Sequence, residues 1–357
     1  MTSPVESGES QNVEKLVPQT LAKLHLAAMR HHQRAAALLS RRDGKWLETP
    51  DWRFDRQVIR LALFLQDRAS LLAGERIAVL SPMRPEWPVL DFAAALQGVS
   101  AVAIDPALPD PALAGALARA AAPVVFVAGQ AMLDRLNAVN RGSPGPRLVV
   151  AFDAPVAVEG ALLWAEALDL AGTLDTPERA QSLRAHAREV SPDANALGQA
   201  VRGADGSISI EFLRHSEVMT RIRAAWARRQ AREGDVAYLS GGAATFAARL
   251  ALFSFVGDGR TTTALGTADR ELEDIAEVRP HKIVAPGAVL EAALRAAPPA
   301  PRTGSAIRTW LGARLGRKGV DVPSPLGGRA RWVQPTGDLP AGGLRSLQDF
   351  VTVEREA

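Results

Sequence analysis

The sequence predicts an α/β protein of two doubly wound βα halves, each a mostly parallel sheet with helices on both faces. Three observations carry this. Apolar runs of four to six residues alternate with helical stretches along most of the chain, the pattern of consecutive βαβ units. The alternation breaks once, between about residues 155 and 192, where the pattern is mostly helical, and then resumes. Finally, 357 residues with 47% hydrophobic and 23% charged content supply core for more than one domain.

In chain order, residues 1–12 are polar and read as a disordered leader. Leu21, Leu24 and Met29 with basic residues between them predict an amphipathic helix over 16–42. Residues 46–52 read as a strand and turn, 55–72 as a helix, 76–80 as a strand, 86–97 as a helix and 99–104 as a strand. Asp110 caps the next helix with Pro111 at its first position, where a missing N–H costs nothing. A strand at 123–127, a helix at 131–140 and a strand at 147–152 follow, and Thr176 with Pro177 caps a helix in the long helical stretch. Residues 204–207 are a tight-turn signal, and 207–212 alternate with period two as a strand. The second alternating block runs through a helix at 216–232, a strand at 235–239, a helix to 256 and a strand at 260–265. The same rhythm continues over 271–278, 281–284 and 289–296, then through a Pro-rich linker at 298–302, a strand at 327–334 and a helix at 344–350. The expected division is a leader (1–12), a first α/β subdomain (13–192) and a second (193–357).

Composition excludes several functions. Cysteine is absent, which removes disulfides, zinc–thiolate sites and thiol catalysis. The net charge is only +3, and the arginines that make up 37 of the 42 basic residues are scattered, so no nucleic-acid-binding stripe exists. No signal region opens the chain. The longest apolar stretch, 89–104, is interrupted by Asp91 and Gln97 and is shorter than the roughly 20 residues a spanning helix needs. A cytoplasmic protein without a transmembrane segment is the expectation. Generic catalytic motifs fail too. The run Gly257, Gly259 lacks the third glycine of a dinucleotide loop, and 312–319 is one residue short of a Walker A loop, with Arg317 and Lys318 at its end. There is no nucleophile elbow, and His25, His31, His32, His186, His215 and His281 fall in no metal-ligand spacing.

Residues 74–87 (GERIAVLSPMRPEW), the helix 91–98 (DFAAALQG), the strand 102–106 (VAIDP), 108–113 (LPDPAL), 272–280 (LEDIAEVRP) and 326–333 (LGGRARWV) together resemble the adenylate-forming, AMP-binding family. The similarity is greatest to long-chain fatty-acid–CoA ligases and extends from about residue 16 to about residue 350. The resemblance implies the N-terminal α/β core of that family, without its C-terminal lid domain. It also implies its chemistry: a carboxylate is activated by ATP to an acyl-adenylate and the acyl group passes to coenzyme A.

The family's phosphate loop (YTSGTTG, then xPKG and TH) falls on 200–215. Gly203, Gly206 and His215 stand where the family has them. Ala200, Val201 and Arg202 replace Tyr-Thr-Ser, Ala204 and Asp205 replace the paired threonines, and Ser209 takes the lysine position, with Ser207 between. An Asp carboxylate about 5 Å from a phosphate charge costs roughly 3 kcal/mol at an effective dielectric near 20, and the lost lysine removes a term of similar size. Together these weaken ATP binding on the order of thousands-fold, unless Mg²⁺ is held between Asp205 and the phosphates. Arg202 offsets only part of this. The family's histidine after a strand becomes Thr245, and its adenine-contacting Gly-Gly-Ala falls on Pro335, Thr336 and Gly337. Neither Lys282 nor Lys318 replaces the family's catalytic lysine.

The expectation is therefore a degenerate acyl-CoA synthetase-like protein without ligase activity. It would act as an acyl- or partner-binding module in acyl metabolism, with vestigial contacts at Gly203, Asp205, Gly206, Ser207, Ser209, Thr245, Thr336 and Gly337. No cofactor is expected, ATP and Mg²⁺ binding only if residual family binding survives, and no metal site. The expected partners are a long-chain acyl ligand and a protein at the face left by the lid domain. Two alternatives stay open: a ligase half-subunit completed by another chain, and a structural partner of a biosynthetic complex.

Overall fold

A computed structural model describes residues 18–141, 145–153, 161–240, 245–267, 269–295, 326, 328–336 and 352–353. Thr20 caps helix α1 (Leu21–His31), its Oγ1 accepting from the Lys23 amide at 3.1 Å. The chain then runs through β1 (Leu38–Arg42), β2 (Lys45–Thr49), α2 (Asp51–Asp67), β3 (Arg76–Leu80), α3 (Glu86–Leu96), β4 (Ser100–Ile104) and α4 (Asp110–Ala120). Next come β5 (Val124–Val127), α5 (Gln130–Val139), β6 (Leu148–Ala151), β7 (Leu162–Leu163), α6 (Trp164–Gly172) and α7 (Pro177–Glu189). The hairpin β8 (Asn195–Arg202) and β9 (Ile208–Arg214) leads into α8 (His215–Arg229), β10 (Asp235–Leu239), α9 (Phe246–Asp258) and β11 (Thr261–Leu265). The last described elements are α10 (Glu271–Val278), β12 (Lys282–Pro286), α11 (Gly287–Arg295), β13 (Trp332–Thr336) and β14 (Thr352–Val353).

Among the described residues the strands form two seven-stranded sheets, β7-β6-β5-β3-β4-β8-β9 and β14-β13-β12-β10-β11-β1-β2. Every pairing is parallel except the two hairpins, β8 with β9 and β1 with β2, which close one edge of each sheet. This is the α/β class of two parallel-dominated sheets that the alternation predicts. Sheet membership does not follow the chain division at 192/193. The hairpin of β1 and β2 belongs to the second sheet, where Leu38 pairs with Thr263, and β8 and β9 complete the first, where Leu197 pairs with Ala101.

The expected helix over 16–42 is a correction: α1 ends at His31 and residues 38–42 are a strand. Its ladder with β11 outweighs a helical propensity that is a weak prior. Arg34 fixes the crossing by donating to the Thr261 and Val256 carbonyls at 2.8 and 3.0 Å, while its amide and side chain bond Asp51. The strand β8, over residues to which the sequence reading assigned no element, is an eight-residue sheet strand. The linker at 298–302 and the helix at 344–350 lie outside the described residues.

Helices α3 and α9 are buried nearly all round, as a helix must be when apolar on every face. They pack on each other between the two sheets, with Phe92 and Phe253 edge to face at 5.4 Å. Inside that contact sits a fully buried ion pair, Asp91 of α3 with Arg249 of α9. The guanidinium also donates to the Gly198 carbonyl of β8 at 2.9 Å and the Ala101 carbonyl of β4 at 3.1 Å.

Gly198 is where the backbone needs a glycine for space. A Cβ there would lie 2.8 Å from Val102 Cγ2 and 3.0 Å from Phe212 Cε1, both held by the flanking strands. Gly198→Ala is expected to destabilise the chain by about 1–3 kcal/mol, read as a lower urea midpoint at constant slope. An unchanged midpoint would show that Val102 and Phe212 yield without cost.

Candidate functional site

The residues aligned with the phosphate loop form the turn between β8 and β9. The Gly203 amide donates to the Ser207 carbonyl at 2.8 Å and the Gly206 amide to the Gly203 carbonyl at 2.9 Å, with Gly206 in the left-handed region at φ 83°. The Ser207 amide and hydroxyl both donate to Asp205 Oδ1, at 3.0 and 2.6 Å. Four donors of the turn are thus spent inside it. The Ser207 hydroxyl, and after it the Ser207 amide, hold the Asp205 carboxyl below the usual carboxylate range, so it is ionised at neutral pH and faces solvent. A Cβ on Gly203 would meet Asp205 Oδ1 at 2.7 Å and Ser207 Oγ at 2.9 Å, so these two side chains fold over the Gly203 backbone. Ser209 lies on β9 opposite Val201 and is exposed.

The other aligned residues are placed by the second sheet. Thr245 is the N-cap of α9, its Oγ1 accepting from the Ala248 amide at 3.3 Å. Thr336 ends β13 beside Pro286, at the carboxyl ends of the strands where open α/β sheets place ligands. Gly337 lies outside the described residues. Besides the Arg249 bond to the Gly198 carbonyl, the hairpin is tied to the second sheet's side by the Phe246 amide, which donates to Gln199 Oε1 at 2.7 Å. His215, aligned with the family's histidine, is buried with Nδ1 accepting from the Leu21 amide at 3.2 Å, at the start of α1. Burial lowers its pKa to about 4, which keeps the ring neutral and able to accept.

A cavity of about 710 Å³ opens between the hairpin, α8, α9 and β13. Its floor is buried and largely apolar, with Leu213, Ala225, Ala247 and Ala251, while Glu211, Arg221 and Arg228 are exposed at its mouth. Leu250 and Phe246 form the wall from α9. Half-buried Arg229 is held over the Trp332 ring at 4.1 Å and donates to Gln334 Oε1 at 2.9 Å. None of these lining residues was singled out from sequence. The available signal was in α8, where Arg221 and Arg228 are seven residues apart with Ala224 and Ala225 between them, which puts all four on one helix face. Among the described residues, no helix is long and apolar enough to cross a membrane.

The whole fold and its sequence have relatives. A fatty acyl-CoA synthetase from Mycobacterium tuberculosis superposes with a TM-score of 0.66 at 17% identity, over 94% of this chain and 58% of that one. A long-chain-fatty-acid–CoA ligase from Archaeoglobus fulgidus gives 0.67 at 15% identity, over 94% and 61%. An acetoacetyl-CoA synthetase from Streptomyces lividans gives 0.66 at 16% identity, over 94% and 51%. At these identities the likeness is one of fold, and the chain spans between about half and three fifths of these three proteins. Among curated proteins none matches the chain. The family described as AMP-binding enzyme matches residues 27–321, most of the sequence. With its paired parallel sheets and its hairpin at the phosphate-loop position, this chain belongs to the AMP-binding enzyme family.

Proposed function

We propose that this chain is a family member without ligase activity that serves as an acyl-ligand-binding module of acyl metabolism in the cytoplasm. The observation that carries the reading is the turn at 203–207, whose donors are used internally and whose ionised Asp205 faces outward. A triphosphate needs unspent N–H and hydroxyl donors and a positive field. Here the residues present do not fit ATP: the Gly203, Gly206 and Ser207 amides have partners, Ser209 supplies no charge, and the carboxylate repels phosphate. What supports ligand binding is the cavity, whose size lies within the range of small-molecule sites.

The test is ATP–pyrophosphate exchange in the presence of Mg²⁺ with decanoate and hexadecanoate as acids. The expected result is no exchange above the control without acid. Acid-dependent exchange, or micromolar ATP binding by calorimetry, would overturn the reading.

A further inference from the structure

One edge of the second sheet is β2, and its hydrogen-bond parity is fixed by the strands behind it. Leu38 of β1 is registered with Thr263 of β11, and the Thr263 amide donates to the Ala37 carbonyl at 3.0 Å. Leu39 and Arg41 therefore bond towards β11, while Leu38, Ser40 and Arg42 bond towards β2, where they are registered with Thr49, Leu47 and Lys45. The two-residue turn Asp43–Gly44, both at positive φ (49° and 76°), gives the same parity from the other end. Trp46 and Glu48 are thus the residues of β2 whose amides and carbonyls point away from the sheet. Among the described residues these groups have no protein partner. Between them Leu47 is 46% exposed. The charges around it, Arg42, Asp43, Lys45 and Glu48, are exposed and have no ion-pair partner among the described residues.

We propose that this edge binds a second copy of the chain, β2 against β2, antiparallel about a two-fold axis at Leu47. In that register Trp46 lies opposite Glu48 of the second copy, and each such pair exchanges two hydrogen bonds, so every outward backbone group of the edge is satisfied. Leu47 meets Leu47 of the second copy at the position between, where opposed Cα atoms are about 4.5 Å apart and side chains touch most closely. Charge selects the same occupant. Continuing the register past Thr49 carries the hairpin tip of each copy to the start of α2 in the other, where Trp52 is 68% exposed and Arg53 is exposed without an ion-pair partner among the described residues. Asp43 then pairs with Arg53, and Arg42 lies on the Trp52 ring. Shifting the axis to Glu48 would set two carboxylates face to face. Shifting it to Trp46 would spend the Glu48 groups on the Gly44 turn. The exposed charges that guard an edge against indiscriminate pairing thus leave one register open, and it is the symmetric one.

The experiment is analytical ultracentrifugation of the full chain from micromolar to submillimolar concentration, joined to cross-linking. A contact of one strand and one helix end belongs with the small, weak interfaces, so the expected result is a monomer–dimer equilibrium within that range. Leu47→Lys puts like charges across the axis, and Glu48→Pro removes an outward N–H that the ladder with β1 does not use. Each is expected to weaken the dimer at least about tenfold, because the symmetry counts every change twice. Circular dichroism and thermal unfolding report that each variant is folded. The chain has no cysteine, so single thiols report the register cleanly. Leu47→Cys, with Cα atoms about 4.5 Å apart across the axis, is within disulfide reach and is expected to form a covalent dimer with oxidised glutathione. Glu48→Cys, opposite Trp46 in this register, and Leu72→Cys, at a 72% exposed site before β3, are expected to cross-link at least about tenfold more slowly. A chain that stays monomeric at submillimolar concentration overturns the proposal. So does a dimer that neither variant weakens, or cross-linking at equal rates from all three positions.

Discussion

Replacing Arg249 by methionine is expected to destabilise the chain by about 3–5 kcal/mol, the scale for removing one partner of a buried ion pair. The side chain is fully buried and binds Asp91 together with the carbonyls of Gly198 and Ala101. Methionine fills much of the space but satisfies none of these acceptors. Asp91 is then left without its partner: burial already raises its pKa against the pull of Arg249, and in the variant only the first effect remains. The double variant Asp91→Leu/Arg249→Met removes both charges and is expected to recover most of the loss, since a buried pair adds little net stability over apolar residues of similar volume. Urea unfolding of the two single variants and the double variant, arranged as a cycle, reads the coupling directly. If Arg249→Met costs less than about 1 kcal/mol, the pair does not hold α3 to α9. The positional consequence is larger than the energy alone, because this pair joins helices that belong to different sheets and also grips β8, the strand leading to the turn at 203–207.

The second large effect is acid sensitivity set by His215. Its Nδ1 accepts from the Leu21 amide at the start of α1, so protonation removes the acceptor and places a positive charge at the positive end of a helix. Burial lowers the pKa in the folded chain to about 4, below its ordinary value of 6.5. Above pH 6.5 the ring is neutral in both folded and unfolded chains, and its full contribution to stability is present. As the pH falls from 6.5 towards 4 the unfolded chain binds a proton that the folded chain refuses, and stability falls by up to about 3 kcal/mol. Below pH 4 both states are protonated and the loss levels off. His215→Gln keeps a side-chain acceptor that does not titrate, so subtracting its pH–stability curve from that of the parent should leave this step alone. Parallel curves between pH 6.5 and 4 would show that His215 is not the group responsible.

These two predictions concern residues whose importance was unequally visible in the sequence. Arg249 sits inside the apolar run 246–256, and a lone arginine in such a run signals a buried partner, yet nothing local names Asp91, which lies 158 positions away. His215 was legible as a position in a family pattern, but its role as an acceptor for α1 depends on Leu21, 194 residues distant. The phosphate-loop region shows the same division. That 204–207 turn tightly was readable from Asp205 and Gly206, and the loss of the lysine from Ser209. That the turn closes on itself required the coordinates of the Asp205 and Ser207 side chains.

The sequence by itself determined the strands and helices with strong periodicity. The strands at 76–80 and 235–239 match their observed limits, because a short apolar run between turn signals has one economical conformation. Only the tertiary structure decided where the chain changes sheets. The pattern of residues 38–49 is compatible with helix or hairpin, and pairing with β11, more than 220 residues later, selects the strand. It also decided that exposed arginines of α8 border a cavity whose floor comes from α9 and β9. The physical reason is common to both: local periodicity says which face of an element is apolar, whereas the identity of what covers that face is set by long-range pairing and packing that no window of sequence contains.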